Sequence, residues 1–124
     1  MNKRVVITGM GVISPVGNDV ITFWDNLCNG VCGIESIKAF PTDNLPVGIA
    51  GIIKDFKPEE YGMDKPFIRK QDLFTQYGVA AAYQAMKQSG LVSQGEGQNI
   101  DPFRLGVYFG SGIGGFATQY REIA

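Results

Sequence analysis

The chain has 124 residues, of which 44% are hydrophobic and 19% charged, a composition typical of one folded domain rather than of a disordered segment. Its formal net charge of −1 gives no basic excess of the kind that binds nucleic acid or an anionic membrane. It contains no histidine, which excludes the commonest metal ligand and the commonest general base.

The first part of the chain predicts a strand, a helix and a second strand. The apolar run VVIT, residues 5–8, predicts a strand covered on both faces, as in parallel sheets. Asn18 or Asp19 can cap a helix that Gly30 would end. The segment GIESIKAFPTDNLP predicts a turn-rich connector, and VGIAGII, residues 47–53, predicts the second strand.

The second part predicts the main helix and a third strand. KPEEYGMDKP, with proline near both ends, indicates a loop or one short helical turn. The strongest helix signal runs from Asp72 to about Ser89, and its many small residues predict that neighbours pack closely around it near the protein centre. SQGEGQNIDP, residues 93–102, predicts a surface loop. LGVYFG, residues 105–110, predicts a strand that runs into SGIGG and the helix start FATQYREIA. The order indicates an α/β fold that looks unfinished.

The two cysteines, Cys28 and Cys32, do not form a zinc motif, because CNGVC is not CxxC and no second pair follows. The start of the chain has basic residues but no long apolar region with a cleavage site, and no apolar stretch approaches the roughly 20 residues of a membrane span. We therefore expect a cytoplasmic protein with two reduced thiols.

The glycine-rich loops raise the question of phosphate binding. A dinucleotide fingerprint needs GxGxxG between a strand and a helix, but in GMGVIS the third glycine is replaced by Ser14 and the helix starts several residues too late. The second loop, GSGIGG, lacks the lysine of a P-loop. The residues favour a structural role for the glycines, in turns and close packing, and a nucleotide-binding module is the remote alternative.

Four blocks together point to a family. VVITGMGVISPVG, FWDNLCNGVCGIESIKAF, RKQDLFTQYGVAAAYQAMKQSGL and GVYFGSGIGG resemble, in order and spacing, the N-terminal part of the β-ketoacyl-acyl-carrier-protein synthases, and most closely the type II elongating class. The resemblance implies a thiolase-like fold, layered α/β/α/β/α in the complete enzyme, of which residues 1–124 would form one incomplete N-terminal domain. Such a piece is expected to expose apolar surface that faces the core of the complete enzyme.

The resemblance also implies a reaction, a decarboxylating Claisen condensation between an acyl thioester on a cysteine and malonyl-acyl-carrier protein. It implies no cofactor, acyl carrier protein as partner, and a homodimer. The family's catalytic cysteine and histidines are expected downstream of this chain, so no catalytic residue is assigned here and the chain alone is expected to be inactive. A non-catalytic chain-length-factor-like partner and a polyketide ketosynthase are the alternatives.

Two features of the family's site fall within this chain. Ile113 matches the isoleucine that gates the acyl pocket, the alternative being a residue that is simply buried by packing. Lys65, Arg69 and Lys70 match the basic residues that dock the acidic carrier protein, with Lys65 the weaker match because Pro66 interrupts the local pattern. The alternative is a solvated charged face, or an Arg69–Asp72 ion pair.

Overall fold

The computed structural model describes residues 3–91 and 101–123. Its longest helix, α3, lies beside two extended segments, one at the start of the chain and one near its end. In chain order the elements are α1 (Val20–Cys28), β1 (Ile34–Ser36), β2 (Ile49–Gly51), a 3₁₀ turn (Pro58–Tyr61), α2 (Lys65–Lys70), α3 (Leu73–Gln88), a second 3₁₀ turn (Pro102–Arg104) and α4 (Phe116–Ile123).

Helix α1 begins and ends where its capping residues predict. Asp19 Oδ1 accepts a hydrogen bond from the Thr22 backbone N–H at 2.9 Å, and Oδ2 accepts one from the Thr22 hydroxyl at 2.7 Å. These bonds favour the carboxylate and lower the pKa of Asp19, so the stability that this cap adds is present above the ordinary pKa and declines as the pH falls through the folded value. After the helix, Gly30 adopts a left-handed φ of 67°.

Helix α3 also matches its prediction, from the Asp72 cap position to the C-cap at Ser89. Gly90 follows with a left-handed φ of 77°, and the Leu91 N–H donates to the Met86 carbonyl at 3.0 Å. Ala80 is fully buried within α3. The helix therefore occupies the central position that its small residues indicate.

The predicted second strand is short and finds an unpredicted partner. β2 lies within residues 47–53, and it pairs antiparallel with β1, with Ile34 opposite Gly51 and Ser36 opposite Ile49. The prediction of a connector over GIESIKAFPTDNLP was therefore wrong for its first residues. Its prolines, Pro41 and Pro46, fall after β1 and do not interrupt the pairing.

The predicted strands at residues 5–8 and 105–110 are not formed. Neither segment pairs with a neighbouring strand among the described residues, and a strand needs such a partner for its backbone hydrogen bonds. Their apolar side chains are exposed, reaching 96% at Val5 and 100% at Tyr108. Exposed apolar surface is thus a feature of the chain as described.

The polar segment before α3 contains more helix than predicted. Its 3₁₀ turn corresponds to the expected short turn, but α2 was missed. Asp64 caps α2 by accepting from the Phe67 N–H at 2.8 Å. Pro66 lies in the first turn of α2, where the missing N–H has no helical partner to lose. Lys65 is the first residue of α2, and its weaker match to the docking residues stays a prediction. The expected loop 93–102 lies largely outside the described residues.

The junction between α2 and α3 depends on one buried side chain. Gln76 is 6% exposed, and its Nε2 donates to the carbonyls of Ile68 at 3.0 Å and Gln71 at 2.9 Å. These bonds fix the end of α2 against the first turns of α3.

Replacing Gln76 with leucine should lower the free energy of unfolding by about 1–3 kcal/mol, because Ile68 and Gln71 each lose a donor in a part-buried place. A urea titration measures the change. Gln119→Leu is the matched control, since Gln119 is an exposed glutamine on a helix. Equal losses in the two variants would show that the junction does not depend on these bonds.

Candidate functional site

The backbone of the first glycine loop, which contains Gly9 and Gly11, contacts the backbone of α3. A Cβ atom on Gly11 would lie 2.8 Å from both the Ala81 carbonyl carbon and the Gln84 Cβ. A Cβ on Gly9 would lie 3.0 Å from the Ala85 carbonyl carbon. Both glycines are therefore required by the closeness of two backbones, which is the structural role that the sequence favours.

The amides of this loop are engaged by side chains of α3. The Met10 N–H donates to Gln88 Oε1 at 2.6 Å, and the Val12 N–H donates to Gln84 Oε1 at 3.2 Å. Gln84 Nε2 donates in turn to the carbonyls of Val12 at 3.1 Å and Asn18 at 2.8 Å. A phosphate would have to displace α3 to reach these amides, so the geometry does not support the nucleotide-binding alternative.

The second glycine loop, residues 110–115, also lies on α3. The Phe109 ring stands over Gly78, where an added Cβ would lie 2.9 Å from Phe109 Cε1. Gly114 adopts a left-handed φ of 74°, and its position is packed against the Phe74 ring. A cavity of about 400 Å³ opens between α3 and the start of this loop; its lining consists of Phe74, Thr75, Gly78, Val79, Phe109, Gly110 and Ser111.

Ile113 is 76% exposed at the outer part of the loop. A gate and a simple packing residue are both expected to be buried, so this exposure does not separate the two roles. Cβ atoms added to Gly110 or Gly112 would meet nothing within 4 Å among the described residues, so none of these confines the backbone before Ile113. The assignment of Ile113 as a gate remains a prediction.

The three predicted docking residues, Lys65, Arg69 and Lys70, all lie in α2, and all are exposed. Lys65 and Arg69 are four residues apart and share one helix face. Together with Glu59 and Ile68 they line a cleft of about 370 Å³. Lys70 does not line that cleft. The structure thus brings two of the three residues together on one face.

Arg69 forms no ion pair within the part of the chain that the structure describes. The ion pairs there join Lys54 to Glu35 at 2.9 Å and Lys57 to Glu60 at 3.3 Å. Asp72, the proposed alternative partner of Arg69, instead accepts a hydrogen bond from the Thr118 hydroxyl. The basic residues of α2 are therefore available to a partner.

The cysteines lie apart from these features. Cys28 and Cys32 are free and exposed, at the end of α1 and in the loop that follows. Across residues 3–91 and 101–123, no three side chains of histidine, cysteine, aspartate or glutamate are grouped to hold a metal ion. No helix within the same ranges is both long and apolar enough to cross a membrane.

Comparison with protein families gives one clear match. The family model described as "Beta-ketoacyl synthase, N-terminal domain" matches residues 2–124. Among curated proteins, the chain is 46% identical over 117 residues to the 3-oxoacyl-[acyl-carrier-protein] synthase 2 of Staphylococcus aureus (strain N315), covering 94% of this chain and 27% of that protein. The protein of the same name from Vibrio cholerae serotype O1 is 49% identical over 113 residues, covering 91% of this chain and 26% of that protein.

A solved structure gives the same family. The chain is similar to "The ishigamide ketosynthase/chain length factor", with a TM-score of 0.62 and 33% sequence identity over 70% of this chain and 21% of that one. The fold is therefore the incomplete thiolase-like α/β fold that the resemblance implies. The chain spans about a quarter of the length of the curated relatives it matches.

Proposed function

Because the chain belongs to the β-ketoacyl synthase family, we propose that it is the N-terminal portion of a type II 3-oxoacyl-[acyl-carrier-protein] synthase, which elongates acyl chains in fatty-acid synthesis. The observation that carries the proposal is the identity of 46% to synthase 2 of Staphylococcus aureus over 94% of the chain. Residues 1–124 would be one partial domain of a homodimeric enzyme. A cytoplasmic location is part of the proposal, supported by the two free thiols, Cys28 and Cys32.

The proposed reaction is an acyl transfer with carbon–carbon bond formation. A cysteine outside this chain would hold the acyl group as a thioester, and malonyl-acyl-carrier protein would lose carbon dioxide to give a carbanion. The carbanion attacks the thioester carbonyl; a carbon–carbon bond forms, the carbon–sulfur bond breaks, and the cysteine thiolate leaves. Histidines outside this chain would stabilise the developing negative charge.

This chain would supply access and docking rather than the chemistry. Ile113, on a loop beside an apolar cavity, would gate entry of the acyl chain. Lys65, Arg69 and Lys70 would attract the acidic carrier protein, since all three are exposed on one short helix. The chain by itself would be inactive.

The experiment that tests the proposal uses the complete protein that contains this sequence. It is mixed with acyl-carrier thioester and malonyl-carrier protein, and the 3-oxoacyl product and released carbon dioxide are both measured. We expect equal amounts of the two from the complete protein and none from the 124-residue chain. Absence of product from the complete protein would contradict a self-sufficient synthase.

A chain-length-factor-like partner is the second candidate, and the similarity to a structure titled ketosynthase/chain length factor favours it. Such a subunit would give product only when a catalytic synthase is added. Repeating the assay with and without a separate synthase therefore distinguishes the two candidates.

A further inference from the structure

Asp72 holds the N-cap position of α3, yet its carboxylate makes no hydrogen bond to that helix. Oδ1 instead accepts from the hydroxyl of Thr118, which lies 46 residues away in the first turn of α4. A carboxylate at this place also interacts favourably with the positive end of the α4 dipole. The side chain therefore joins the start of α3 to the start of α4.

The same carboxylate is in contact with the end of the second glycine loop. A Cβ added to Gly115 would lie 2.9 Å from Asp72 Cγ, and a Cβ added to Gly114 would lie 3.2 Å from Phe74 Cζ. Residues 114–115 are thus seated on the first turn of α3. No side chain larger than hydrogen fits at Gly115 while the carboxylate keeps this place.

The other end of the loop makes a separate packing contact with α3. Phe109 packs on Gly78, one turn further along the helix than Phe74. Between these two contacts, Cβ atoms added to Gly110 and Gly112 would meet none of the described atoms within 4 Å, and Ile113 is exposed. The loop is therefore held by α3 at both ends, and none of the described residues confines its middle.

Asp72 is itself well supported. Gln76, one turn after it, is buried and bonded to the carbonyls of Ile68 and Gln71, which fixes the backbone on the N-terminal side of Asp72. A rigid support is what allows one hydrogen bond to limit the movement of a distant segment.

We infer that Asp72 is a positioning residue whose hydrogen bond to Thr118 holds the end of the glycine loop, so that movement of Ile113 on acyl-chain entry is confined to residues 110–113. The inference rests on the proposed function, because it concerns the gate of the same site. It adds a residue pair that determines how far the gate opens, and hence which acyl chains enter.

The test uses the complete synthase with Thr118→Val, which keeps the shape of the side chain and removes the hydroxyl, and with Thr118→Ser, which keeps the hydroxyl. Two quantities are measured: amide hydrogen exchange over residues 112–116, and the ratio of kcat/KM for long and short acyl donors. We expect Thr118→Val to speed exchange by about fivefold or more and to shift the ratio by a similar factor, as loss of one hydrogen bond to a charged group allows. Thr118→Ser should leave both the exchange rate and the kcat/KM ratio close to those of the unsubstituted protein.

Asp72→Ala removes the acceptor of the same hydrogen bond, and it replaces the Thr118 variants if either of them folds poorly. The double variant Asp72→Ala with Thr118→Val should shift both measurements no further than one single variant, because both substitutions remove the same bond. Additive shifts would contradict the pairing.

The exchange measurement needs no activity, so it separates two kinds of failure. Unchanged exchange in Thr118→Val overturns the inference even if the synthase is fully active. Faster exchange with an unchanged chain-length ratio also overturns it, because the bond would then hold the loop without affecting entry. Faster exchange in a complete protein that catalyses no condensation would reject the proposed function, and the inference about acyl entry with it.

Discussion

Replacing both Arg69 and Lys70 with glutamate should raise the KM of the complete synthase for acyl-carrier protein by about tenfold or more at low ionic strength, with kcat changed by less than about twofold. The physical reason is electrostatic. Both side chains are exposed on α2, and the described ion pairs do not include them. Reversal would turn a surface that attracts an acidic partner into one that repels it. Steady-state kinetics with varied carrier-protein concentration measure the effect.

The control for this variant is a reversal of the same size elsewhere. Lys38→Glu with Lys87→Glu changes the net charge equally, and both lysines are exposed. We expect a much smaller change in KM from it. The effect at α2 should also shrink as salt is added, because charges farther apart than about 10 Å are screened at 0.1 M ionic strength. An unchanged KM at low salt would reject α2 as the docking surface.

The other large effect is expected on stability. Gly11→Ala should lower the free energy of unfolding by about 3 kcal/mol, at the upper end of the usual cost of overpacking, or prevent folding. The added methyl group would meet the Ala81 carbonyl carbon and the Gln84 Cβ at 2.8 Å. Gly11 does not have a left-handed φ, so the loss would arise from lack of space rather than from backbone conformation.

Gly106→Ala is the matched control, since an added Cβ there meets nothing within 4 Å and its φ is not left-handed. This change should be neutral or should stabilise by less than about 1 kcal/mol, through the less flexible unfolded chain. Thermal melts of the two variants of the 124-residue chain provide the comparison, because the open space at Gly106 is a property of the residues described. Similar melting temperatures would show that the loop can move away from α3 at little cost.

The helices could be predicted because their signals are local. Asp19 and Gly30 bound α1, and Gly90 ends α3, each through a conformation or bond within a few residues. Asp72 holds the N-cap position of α3 as predicted, but without a side-chain bond to that helix. α2 also has a local signal, the Asp64 cap followed by Pro66, but that signal is ambiguous because proline fits both a break and the first turn of a helix.

The strands were harder to predict than the helices. A strand forms only beside a partner strand, and the local sequence pattern does not identify that partner. Residues 34–36 pair with 49–51 across a proline-containing loop, although their own composition indicates a connector. Residues 5–8 have the composition of a buried strand, yet they find no strand partner among the described residues.

For the candidate site, the resemblance supplied Ile113 and the three basic residues, and the structure added their surroundings. Lys65 and Arg69 share a face of α2, a helix that the sequence pattern does not predict. The side chains that fix the two glycine loops, Gln84 and Asp72, were missed as anchors. Their bonds span 72 and 46 residues, and no short motif encodes a contact over that distance.

The contact between Gly11 and α3 limits how this part of the protein can change during evolution. Its closest atoms belong to the Ala81 carbonyl group and to a Cβ that every residue except glycine carries. A smaller side chain at position 81 would leave that carbonyl where it is. A second mutation within α3 therefore cannot readily compensate a larger residue at position 11. When a larger residue at position 11 is put under selection for restored stability, we expect glycine to return at that position. We do not expect a second substitution in α3 to compensate.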